Sequence, residues 1–257
     1  QFNGLMYERF LKDENITLFS PNDVPGLYDS FFADQKKFKK LYEKYEKDDS
    51  IRKQQISARE LFAMFMKERA NTGRIYLQNV DHCNTHGAFD PSQAPIKQSN
   101  LCMEITLPTK PLYSVQDKEG EVALCTLSAV NLGAIDSLDE LEDITDIIVR
   151  SLDSLLDYQD YPLKAAEIAS NNRRTLGIGV TNLAYYLAKN GAKYSDGSGN
   201  DLIHKTFEAL QYYSLKASNE IAEEFGPCPL FSETQYAKGI MPTDSYKKDI
   251  DEFCNTE

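Results

Sequence analysis

Residues 80–98 cannot continue the helical patterning that precedes them. The stretch holds Asp, Asn and Gly, two prolines (Pro91 and Pro95) and no apolar period, so it reads as a long loop. Loops of that length inside a compact chain are usually functional or disordered. It runs straight into Leu101–Leu107, whose alternation is that of a strand. On its N-terminal side, Leu27–Lys47 places Phe31, Phe32, Phe38 and Leu41 among lysines and acids. Ser57 and Glu60 form a capping box. Phe62, Phe65, Met66 and Ala70 follow at helical spacing, and Gly73 is the stop signal. Arg74–Leu77 is predicted as a short strand. On the C-terminal side, Gln116–Gly120 is a turn and Glu121–Leu127 a β-like run. Ser137 and Glu140 open a second capping box, with Leu141, Ile144, Ile148, Leu152 and Leu155 as its apolar stripe. Leu176–Lys189 and Asn200–Glu224 complete the helices, the last stopped by Gly226-Pro227. The pattern is helical over 1–72, strand, loop and hairpin over 74–130, helical over 137–226, and an irregular tail over 227–257.

A chain of 257 residues can bury a large core, as one domain or two. Its net charge of −12 repels nucleic acid, so no direct nucleic-acid binding is expected. A small anionic substrate is compatible, because backbone N–H groups bind phosphate locally. No stretch nears the roughly 20 apolar residues of a membrane span. Gln1-Phe2-Asn3-Gly4 is neither a signal peptide nor an initiator, so a piece of a longer chain is expected. The five cysteines, Cys83, Cys102, Cys125, Cys228 and Cys254, are odd in number in a long chain. That argues for a reducing, cytoplasmic setting in which a cysteine pair would be catalytic.

If Asn100–Ile105 is extended, Leu101, Met103 and Ile105 share one face and Asn100, Cys102 and Glu104 the other. The second face would carry an amide, a thiol and a carboxylate in one row. An amphipathic strand with its polar face in water gives the same pattern, although cysteine on a solvent face is unusual. Elsewhere the readings are structural. His82, Cys83 and His86 lack a fourth metal ligand, so no metal is expected and a hydrogen-bonded loop is preferred. Gly177-x-Gly179 fails the dinucleotide fingerprint because position 182 is Asn, leaving close packing before a helix. Arg173 and Arg174 are read as salt-bridge partners. Tyr185-Tyr186 and Tyr212-Tyr213 are read as helix packing, and the Lys/Glu/Tyr-rich residues 36–49 as a solvated helix face.

Four segments resemble the large subunit of class I ribonucleotide reductases: Glu68–His86, Gln98–Ile105 with its Asn-Leu-Cys-x-Glu-Ile core, Ala123–Ala129, and Arg173–Val180. The resemblance runs over nearly the whole chain. It implies α/β architecture, part of a ten-stranded α/β barrel with a helix-rich exterior and a central finger loop, here Gln98–Glu104. It implies that Cys102 becomes a thiyl radical, that Glu104 accepts the 3′-hydroxyl proton, and that Asn100 binds the ribose hydroxyls. Substrate contact would come from Asn100, Leu101, Cys102, Met103 and Glu104. Cys125 matches one of two reducing cysteines, whose partner the family places on an earlier strand, and no cysteine precedes Cys83 here.

The implied reaction is reduction of ribonucleoside diphosphates. The radical would come from a di-iron/tyrosyl small subunit, and thioredoxin or glutaredoxin would restore the dithiol. The family's regions for ATP and dNTP effectors have no counterpart in this chain, which itself is implied to bind no cofactor. Activity would need the remainder of the large subunit or a complementary chain, in an oligomer. Two alternatives stand beside this: an inactive assembly module, and a cobalamin-dependent reductase on the same barrel. Asp81–His86 and Pro108–Leu112 favour class I.

Overall fold

The computed structural model describes residues 1–254, with side chains through Asp249. The described residues form two compact units, one of Gln1–Thr109 with the residues from Ser232 onward, the other of Lys110–Phe231.

In the first unit, α1 (Gly4–Leu11) leads into β1 (Asn15–Phe19), followed by α2 (Leu27–Ala33), α3 (Gln35–Glu46), β2 (Lys53–Ser57), α4 (Ala58–Thr72) and α5 (Val80–Thr85). Strands β1 and β2 pair antiparallel, with Asn15 opposite Ser57 and Phe19 opposite Lys53. Two apolar clusters form the core of this unit: Leu5, Val24, Leu27, Phe38 and Tyr42 in one, Phe2, Met6, Ile16 and Ala58 in the other. The Tyr42 hydroxyl donates to the Thr17 carbonyl at 2.9 Å, which ties α3 to β1. The Ser57 cap forms, its hydroxyl accepting from the Glu60 N–H at 3.4 Å. Gly73 ends α4 at φ +65°, a conformation that costs glycine nothing.

The second unit holds β3 (Leu127–Asn131), α6 (Glu140–Tyr158), α7 (Lys164–Arg173), β4 (Gly177–Thr181), α8 (Leu183–Lys189) and α9 (Asn200–Phe225). Strands β3 and β4 pair in parallel, Leu127 beside Gly177 through Asn131 beside Thr181. Parallel pairing requires a long crossover, which α6 and α7 supply. The core is Val130, Leu132, Ile135, Leu141, Tyr186 and Leu210. Leu127, Ala129 and Asn131 of β3 are exposed. Among the described residues there are two two-stranded sheets and no closed sheet. No described helix is long and apolar enough to cross a membrane.

Several sequence expectations are corrected. The N-terminal 72 residues are interrupted by β1 and β2, whose pairing spans some forty residues and leaves no local period. Leu27–Lys47 is two helices, because Asp34 turns extended and caps the second by accepting from the Lys37 N–H at 2.9 Å. Arg74–Leu77 forms no strand, and α5 occupies the start of the expected loop. The β-like run over Glu121–Leu127 becomes a strand only from Leu127. Leu176–Lys189 is a strand and then a helix, joined at Asn182 in the left-handed region (φ +63°). At Gly179 of that strand there is no close approach: a Cβ would reach only the Ser128 carbonyl, at 4.0 Å. The tail contains α10 (Pro242–Cys254). On α6 the stripe ends on buried Leu156, while Leu155 is 44% exposed, because 3.6-residue periodicity drifts past it.

Candidate active site

The residues singled out around Cys102 lie at the tip of a tight hairpin. Ser99 and Thr106 form an antiparallel bridge. Between them the Asn100 N–H donates to the Ile105 carbonyl at 3.1 Å, and the Met103 N–H donates to the Asn100 carbonyl at 3.3 Å. Asn100 closes the turn with its side chain as well. Its Oδ1 accepts from the Ile105 N–H at 3.2 Å, and its Nδ2 donates to Glu104 Oε1 at 2.5 Å. An Asn amide replaces backbone partners in this way because its length matches a peptide unit. The Ser99 hydroxyl lies 2.7 Å from Met103 Sδ. Met103 takes φ +67°, a conformation that costs a non-glycine residue energy.

This turn replaces the extended segment expected from alternation. Leu101 does not pack with Met103 and Ile105; it is 91% exposed at the apex. Asn100 and Glu104 are joined because the turn brings them together, where an extended strand would hold them apart, and exposed Cys102 sits on the turn itself. The arrangement is a protruding thiol two residues from a carboxylate that an amide holds in orientation.

The stem is anchored from α5. Buried Asn84 accepts the Ile96 N–H at 2.8 Å and donates to the Ile96 carbonyl at 2.9 Å. The preceding loop is held by Asp90. Its carboxylate accepts from Ser92 N–H at 3.0 Å, Ser92 Oγ at 2.8 Å, Gln93 Nε2 at 3.1 Å and Lys238 Nζ at 2.6 Å. The Lys238 and Ser92 bonds hold this carboxyl well below the usual range, against a smaller opposing effect of burial. Neither Asn84 nor Asp90 stood out in the sequence. An Asn in a helix and an Asp before a proline are both common, and their partners are distant or in backbone.

Cys125 is exposed in the second unit, on the segment leading into β3. Burial pushes the Cys228 thiol up, which keeps it protonated and a weak nucleophile. His82 and Cys83 lie on α5, not in a loop, and His86 follows at its end. The hydrogen-bonded part of that reading holds: His86 Nε2 is 2.6 Å from Asp249 Oδ2, and Nδ1 is 2.8 Å from Thr85 Oγ1. Arg174, left-handed at the end of α7, bonds Asp153 at 2.7 Å and both oxygens of Asp157 at 2.9 Å, the expected salt-bridge role. Tyr186 packs in the core with its hydroxyl 3.1 Å from Thr206 Oγ1, but Tyr185 and Tyr212 are exposed. The turn at 116–120 forms around Asp117, whose Oδ1 accepts the N–H groups of Glu119 and Gly120 at 2.8 and 3.1 Å.

The family model described as "Ribonucleotide reductase, barrel domain" matches residues 1–256. The chain belongs to that family. Among curated relatives, the ribonucleoside-diphosphate reductase 1 subunit alpha of Escherichia coli strain K12 is 69% identical over 99% of this chain and 34% of its own length. The ribonucleoside-diphosphate reductase subunit alpha of Haemophilus influenzae is 66% identical over 98% of this chain and 33% of its own length. That of Enterobacteria phage T4 is 49% identical, over 99% and 33%. The chain thus spans about a third of the length of the curated relatives it matches. The family name agrees with the ribonucleotide reductase resemblance carried in part by the Asn-Leu-Cys-x-Glu-Ile segment, which forms the hairpin tip.

Proposed function

We propose that this chain supplies the radical tip and one reducing cysteine to a ribonucleoside-diphosphate reductase, and that the remainder of the large subunit, or a complementary chain, completes its site. The observation that carries this reading is the hairpin Ser99–Thr106, with Cys102 on its tip and Glu104 held by Asn100. In the proposed reaction a thiyl radical at Cys102 takes a hydrogen atom from C3′ of the ribose. Glu104 accepts the 3′-hydroxyl proton, and the 2′-hydroxyl leaves as water with a proton from the reducing pair. In all, Cys125 and a partner thiol outside this chain give two electrons and two protons, one proton to the departing water and one to C2′, and become a disulfide. Glu104 returns its proton to the 3′ oxygen, and the Cys102 hydrogen returns to C3′. A positioned proton acceptor contributes about 10²–10⁴-fold to such a step.

The rest of the assembly follows from the same reading. The radical arrives from a separate small subunit with a di-iron/tyrosyl centre, and thioredoxin or glutaredoxin restores the dithiol by exchange. Effector nucleotides bind outside this chain. The β3–β4 pair supports a share in a ten-stranded barrel, because parallel strands are found almost only in sheets covered on both faces. Here the face bearing Leu127, Ala129 and Asn131 is open. A completed barrel would cover it and keep water from the radical.

The test uses the full-length subunit with its small subunit, thioredoxin and a ribonucleoside diphosphate. Cys102→Ser is expected to abolish deoxynucleotide formation with the fold retained. Unchanged product from that variant would overturn the reading and favour an assembly role. Activity that requires cobalamin and no small subunit would assign the chain to the other reductase class.

A further inference from the structure

We infer that Glu121 is a positioning residue for Cys125, acting through an ion triad, built on the buried Glu121–Arg173 pair, that clamps the segment on which the cysteine stands. The inference rests on the proposed reducing role of Cys125.

Glu121 is only 2% exposed, yet its carboxylate meets two cations. Its Oε2 lies 2.6 Å from Arg173 Nε, itself 3% exposed, and its Oε1 pairs closely with Lys110 Nζ. Burial pushes the Glu121 carboxyl up, but hydrogen bonds from Arg173 and Lys110 outweigh it and hold the group below its ordinary value, so it stays ionised. Lys110 stays 47% exposed, but the two charges withdrawn from water, Glu121 and Arg173, are an expensive way to join two segments, since apolar residues of similar volume often serve stability as well or better. What a charged triad adds is direction: each oxygen fixes one cation, and the chain cannot slide along it.

The backbone shows what the triad fixes. Lys110 and Glu121 also exchange hydrogen bonds, at 3.1 and 3.3 Å, and the Val122 N–H donates to the Ala165 carbonyl at 3.2 Å. Five residues beyond Glu121, the Thr126 carbonyl accepts the Gly177 N–H at 2.9 Å, and the β3–β4 ladder begins. Arg173 ends α7 and Gly177 opens β4, so the two stand at either end of one short connection. That connection grips the 121–127 segment twice, by side chain at Glu121 and by backbone at Thr126. Cys125 lies between the two grips. Ala123 is half-buried and Leu124 exposed, whereas Thr126, at the second grip, is buried.

The test is made in the full-length subunit with its small subunit and reductant. Glu121→Gln keeps the shape and removes the charge, while Lys110→Ala removes one cation and leaves the Arg173 bond. Expected for Glu121→Gln is a fall in kcat of about 10- to 100-fold with KM little changed, the scale of a misplacement near 1 Å. Lys110→Ala should give a smaller fall. In the same samples the alkylation rate of Cys125 should change by about 5-fold or more, with that of Cys102 unchanged, where global loosening would move both. Unchanged turnover in both variants, or parallel changes at Cys102 and Cys125, would overturn the inference. Cys125→Ser separates the two levels: if it sustains full turnover, the reducing role itself fails, whatever Glu121 does.

Discussion

Asn84 and Ile96 are joined as two strand residues would be, except that one partner is a side chain. The amide of Asn84 receives the Ile96 N–H and donates to the Ile96 carbonyl, and a third bond, at 2.7 Å, returns to the Val80 carbonyl within α5. Both residues are buried, so water cannot replace these bonds. The hairpin bearing Cys102 starts three residues beyond Ile96.

Asn84→Ala leaves a buried N–H and a buried carbonyl without partners, each worth about 1–3 kcal/mol. The expected result is local: exchange of the Ile96 amide hydrogen accelerates by about 5- to 150-fold, the range set by one such bond. Hydrogen exchange read by mass spectrometry checks this. Protection at Ile96 equal to that of the unaltered protein would show that the amide is not the anchor.

The loop clamp at Asp90 should be sensitive to acid. Its carboxyl is held low in the folded protein, chiefly by Lys238 and then by Ser92, so the stability it contributes is present above the unfolded pKa of about 4 and is lost as pH falls toward the folded value. Urea midpoints measured from pH 7 downward should therefore decline below about pH 4, and more steeply than those of Asp90→Asn. Parallel curves for the two proteins would remove Asp90 from the account.

Met103 offers a test of the tip. At φ +67° a β-branched side chain is strained by roughly 1–2 kcal/mol, whereas glycine is at ease. Met103→Val should lower kcat of the full-length subunit by about 5- to 30-fold, the kinetic equivalent of that strain. Met103→Gly should retain more activity than Met103→Val, despite losing the contact with Ser99. The opposite order would mean that the thioether matters more than the backbone.

Gly133 is confined by close approach. A Cβ there would lie 2.8 Å from Tyr185 Cδ1 and collide with the Asn182 amide, which donates to Asn131 at 3.2 Å. Gly133→Ala is expected to cost about 1–3 kcal/mol. Asn182→Gly removes the colliding amide and suits the positive φ at that position, so the cost of Gly133→Ala should shrink in its background. A double-mutant cycle that comes out additive would exclude the contact.

The cap at Ser57 and the stop at Gly73 were legible in the sequence because each depends on residues a few positions apart. So did the family, since the motif around Cys102 is a contiguous string. The turn at Asn100–Ile105 was not legible in the spacing, because a period of 2 cannot distinguish an extended strand from a hairpin tip that reverses within it; only the resemblance implied a loop there. Strands β1 and β4 escaped for a related reason: each is five residues long and exists through a partner some forty to fifty residues away. Local chemistry, then, was written in the order of the side chains. Tertiary structure alone decided which distant groups support it, bringing Ile96 to Asn84, Lys238 to Asp90, and Arg173 to Glu121. A hydrogen bond or ion pair leaves no mark on the sequence until the chain has folded to within about 3 Å of it.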